Sequence, residues 1–84
     1  MDRKTAKNIL LKQVNKDIEI FGEDAITLAS PMKGKNSWTY KEYKQAIVED
    51  KCLENTNLNP IDTLLEYDKY LIKTKGHGYE ENNK

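Results

Sequence analysis

The sequence predicts an all-α fold, a small bundle of three main helices over about residues 3–21, 40–52 and 60–74, with a short extra helix near 24–29. Three observations lead there. Apolar residues recur at steps of three and four, which lines side chains up on one face of a helix. Two segments carry helix-start chemistry, Thr39 with Glu42 and Asn59 with Pro60 and Asp62. Gly22 stands where the first periodic run gives out, as a C-terminal stop should.

In the first helix Ala6, Leu10, Val14 and Ile18 step by four, Leu11 and Phe21 widen the stripe, and Lys4, Asn8, Lys12, Asn15, Lys16 and Glu19 take the other side. Ile9 and Ile20 lie off that stripe and give the helix a second apolar edge. Between Gly22 and Trp38 the pattern divides: Asp24 is placed to cap a short helix through Ala29, while Ile26 and Leu28 alternate as in a strand. The helix is the preferred reading. Pro31 pushes Ser30 out of helical geometry, and residues 33–37 form a polar loop.

Thr39 opens a capping box with Glu42, and Trp38 just before it is placed to pack back as a hydrophobic staple. Tyr40, Tyr43, Ala46, Ile47 and Leu53 share the inner face of the second helix, with Asp50 intruding. Residues 54–59 break it. The third helix buries Ile61, Leu64, Leu65, Leu71 and Ile72, with Asp68 in the middle of the stripe. The expected organisation is a single helical domain over 1–76 and a flexible tail over 77–84.

The chain has 84 residues, and folding at this size buries only about 60% of the surface the unfolded chain exposes. One cysteine, Cys52, makes no internal disulfide, and no His-Cys cluster offers a metal staple, so self-association is the expected supplement to a small core. The 14 basic and 14 acidic residues cancel, leaving no global field for nucleic acid or an anionic membrane. The charges instead alternate in blocks along the chain, which favours packing of unlike segments within one chain or between copies. The opening residues are charged and helical rather than a signal segment, no apolar run approaches membrane-spanning length, and a cytoplasmic protein is expected.

Catalytic motifs are missing. His77 lies between two glycines without a positioning partner, Cys52 has no base beside it, and there is no phosphate-cradling loop, nucleophile elbow, zinc motif or calcium loop. Neither an enzyme nor a bound cofactor or metal is expected. Asp68, Asp50 and Lys7 sit within apolar stripes and are candidates for a structural polar seam, Asp68 paired with Lys7 or the Tyr43 hydroxyl. The alternative for Asp68 is a boundary position open to water.

Two functional readings follow. A protein-interaction module, self-associating or docked on a larger partner, is favoured by the off-stripe isoleucines, five tyrosines and one tryptophan, and the small core. The alternative is nucleotide or single-stranded nucleic-acid binding through the segment 33–44, where Lys33, Lys35, Trp38, Tyr40, Tyr43 and Lys44 mix cations with aromatics. A single arginine, Arg3, weighs against it.

Overall fold

The computed structural model describes residues 1–27, 38–53 and 56–79. They form three helices, α1 (Arg3–Phe21), α2 (Tyr40–Glu49) and α3 (Pro60–Lys75), with α1 packed against both of the others. Each starts on a side chain that supplies an acceptor to an otherwise orphaned backbone amide. The Asp2 carboxylate accepts from the Thr5 amide at 2.8 Å. Thr39 and Glu42 complete the reciprocal capping box, and the Asn59 side chain accepts from the Ile61 and Asp62 amides ahead of Pro60 at the first turn. Gly22 and Gly76 end α1 and α3 at φ 89° and 82°, where a side chain would be strained.

The core gathers Ala6, Leu10 and Val14 of α1, Tyr40 and Ile47 of α2, and Ile61 and Leu64 of α3. A second cluster holds Trp38, Ala46 and Leu53, with Tyr43 and Leu58 against it, so the two staple positions, Trp38 and Tyr43, share one apolar cluster. The wider stripes are only partly covered. Ile18 is half-buried, and Phe21, Ile20 and Ile72 are exposed. Ile9 is packed against the core, so one of the two off-stripe isoleucines is already used.

Two sequence expectations need correction. Residues 24–27 of the expected short helix do not form one: Ile26 makes an isolated antiparallel bridge with Thr39. The Thr27 amide donates to the Trp38 carbonyl at 2.8 Å, and the Tyr40 amide to the Ala25 carbonyl at 3.0 Å. Extended pairing thus satisfies the backbone groups that a helix would have satisfied locally; residues 28 and 29 lie outside the described residues. The second helix stops at Glu49 rather than 52, since Asp50 turns into the left-handed region at φ 51° and its amide closes onto Ala46 and Ile47. Past residue 76, Gly78 is buried and Tyr79 packs on the core, while the rest of the expected tail, 80–84, lies outside the described residues.

Candidate functional site

Asp68 is 4% exposed on the inner face of α3. Its partners are neither Lys7 nor Tyr43. The Met1 ammonium lies 2.8 Å from one carboxylate oxygen, and the Tyr79 amide donates to the other at 2.7 Å. These two donors, the ammonium foremost, hold the Asp68 carboxyl below its ordinary pKa against the opposing effect of burial. Gly78 admits this approach: a Cβ there would stand 2.6 Å from the Asp68 oxygen. The Tyr79 hydroxyl accepts from Gln13 Nε2 at 2.8 Å, so the same turn is fastened to α1 as well. Burial also corrects the alternative of a boundary carboxylate reaching water.

Asp50 is at the surface instead. Arg3 donates to both of its oxygens and reaches Asp62 on α3 with another guanidinium nitrogen. Asn59 Nδ2 adds a bond of 3.0 Å. The Arg3 guanidinium, then Asn59, lower the Asp50 pKa, and the two carboxylates raise that of Arg3. Lys7, the third member of the expected seam, donates to the Val48 carbonyl at 2.8 Å and ties α1 to the end of α2. All three seam residues therefore make polar links between elements, with partners other than each other.

The basic-aromatic candidates separate. Lys33 and Lys35 lie outside the described residues. Trp38 and Tyr40 are 4% and 5% exposed, Tyr43 is half-buried with burial raising its hydroxyl pKa, and Lys44 is partly covered. Tyr40 stacks on Phe21 at 6.0 Å and 8°. Of the three rings, Trp38 and Tyr40 are buried and Tyr43 is half-covered.

The aromatic surface lies elsewhere. Tyr67 and Tyr70 are 46% and 57% exposed on the outer face of α3, their rings 6.4 Å apart and within 19° of parallel. Tyr79 meets the edge of Tyr67 at 6.0 Å and 66°. Thr63 and Thr74 extend the line, and the Thr74 hydroxyl is turned back to the Tyr70 carbonyl at 2.7 Å. Sequence inspection passed over these tyrosines, although Tyr67 and Tyr70 are three residues apart at the border of the buried stripe. It also passed over Arg3 as a clamp.

Chemistry is sparse. Among the described residues no group of three or more His, Cys, Asp or Glu side chains is placed to hold a metal. Among the described residues are open clefts of about 350 and 330 Å³, one between α1 and α2 lined by Phe21, Tyr40 and Tyr43, the other beside Trp38 and lined by Lys41, Glu42, Gln45, Lys51 and exposed Cys52. No described helix is long and apolar enough to cross a membrane. Comparison with family models, curated proteins and solved structures returns no match, so function has to be argued from these surfaces.

Proposed function

We propose that this chain is a small, non-enzymatic protein-interaction module of the cytoplasm whose contact surface is the outer face of α3. The observation that carries this reading is the exposed, mutually stacked pair Tyr67 and Tyr70. Tyrosine offers a large apolar body and a polar tip, loses little conformational freedom on docking, and is enriched where protein surfaces meet. Stacking on one another and on the edge of Tyr79 pre-orders the rings further, which lowers the entropic cost of binding. An exposed, unpaired Cys52 suits a reducing compartment. The nucleotide or single-stranded nucleic-acid reading gains no comparable support, because Trp38 and Tyr40 are covered.

Tyrosine nitration mapped by mass spectrometry tests the proposal. In dilute purified protein Tyr67 and Tyr70 react fast and Tyr40 slowly. In a concentrated lysate of cells that make the protein, Tyr67 and Tyr70 become protected while half-buried Tyr43 is unchanged. Equal reactivity of Tyr67 and Tyr70 in both settings overturns the reading.

A further inference from the structure

We propose that the outer face of α3 pairs with the same face of a second copy of this chain, antiparallel and about a two-fold axis between Tyr67 and Tyr70. This rests on the interaction reading above and names the partner. Thr63, Tyr67, Tyr70 and Thr74 follow one another at steps of four, three and four, the spacing of a two-helix seam, and all four are exposed. Beside them, Ile61, Leu64, Asp68 and Leu71 are consumed by the chain's own core. An antiparallel two-fold sets Tyr67 against the second copy's Tyr70 and Thr63 against its Thr74, at both ends alike.

Charge selects the orientation. Glu66 and Lys73 are the exposed residues flanking this seam on one side, each directly before a seam position. In the antiparallel arrangement Glu66 meets the second copy's Lys73 and Lys73 meets its Glu66, two favourable contacts from one pair of residues. A parallel arrangement would turn Glu66 and Lys73 toward the leucine-lined flank of the second copy and make neither contact. On the seam's other side the corresponding residues are Leu64 and Leu71, buried in their own subunit, so no flanking charge there disfavours the pairing. The seam spans about 16 Å of helix, short of what a standard interface of about 1,600 Å² requires, so the dimer is weak and reversible, with a Kd on the order of 100 µM.

Sedimentation velocity of the purified chain from about 10 µM to about 1 mM reads this directly. The expected result is a reversible monomer–dimer equilibrium in the wild type. Glu66→Lys and Lys73→Glu each weaken it roughly tenfold, and the double variant returns it to within about twofold of wild type at low salt. Circular dichroism checks that each variant keeps its helices, and the rescue distinguishes pairing across the seam from loss of fold. A wild type that stays monomeric at the highest concentration overturns the dimer. If Tyr67 and Tyr70 are nevertheless protected in lysate, the interaction reading survives with a foreign partner; if they are not, both fall. Dimerisation indifferent to the charge reversals also overturns the proposal, since it places the contact on another face.

Discussion

Asp50 and Asp68 interrupt apolar stripes in the same way and meet opposite fates. Asp68 goes inward on α3, is stripped of water and holds two donors from distant parts of the chain. Asp50 leaves the helix altogether, adopts a left-handed turn and meets Arg3 and Asn59 in contact with solvent. A carboxylate in a stripe thus has two escapes, to recruit a partner or to end the helix, and the one taken decides its worth. Desolvated ion pairs are costly to break because the remaining charge is stranded, whereas exposed pairs are screened and contribute little.

The contrast is broken most severely by Asp68→Ala, which removes the buried carboxylate that meets the Met1 ammonium. The expected loss is about 3 kcal/mol, or a fall in Tm of more than about 10 °C, read by thermal circular dichroism. Acid exposes the same difference without mutation. Because the folded-state pKa of Asp68 is depressed, its stabilisation is fully present above the unfolded value of about 3.9 and is lost as pH falls through the lower folded value. Wild-type Tm should hold steady from neutral pH down to about pH 5 and then fall, with a shallower acid limb in Asp68→Asn than in Asp50→Asn.

Gly78→Ala sharpens the inner site by leaving both charges in place and adding one methyl group at 2.6 Å from the carboxylate oxygen. The turn has to retreat, at an expected cost of about 1–2 kcal/mol, with faster nitration of Tyr79 as its local sign. Asp50→Ala should be the mildest change: a drop of a few degrees at low salt that fades in strong salt, since Arg3 keeps Asp62 and both groups reach water. An effect as large as that of Asp68→Ala would erase the distinction between the two sites.

What the sequence made legible was what neighbours in the chain decide. The starts at Thr39 and Asn59 depend on side chains reaching amides two or three residues away, and the stop at Gly22 depends on one glycine. The bridge from Ile26 to Thr39 was not legible, because two alternating apolar residues fit helix and strand equally and the partner lies 13 positions on. Asp68 could be singled out as needing a partner, but its donors are a terminal ammonium and a backbone amide, which residue types do not advertise. The tyrosines of α3 escaped because a tyrosine on the polar side of an amphipathic helix looks unremarkable until its exposure is known.

The bond between Met1 and Asp68 joins residues 67 positions apart, and the one from Tyr79 is made 11 positions further along. Closing so long a loop gains nothing until the helices have already condensed around it, so the contact belongs to the native side of the folding barrier. Its removal should therefore leave the refolding rate nearly unchanged and shorten the lifetime of the folded chain instead, making Asp68 a brake on opening rather than a guide to assembly.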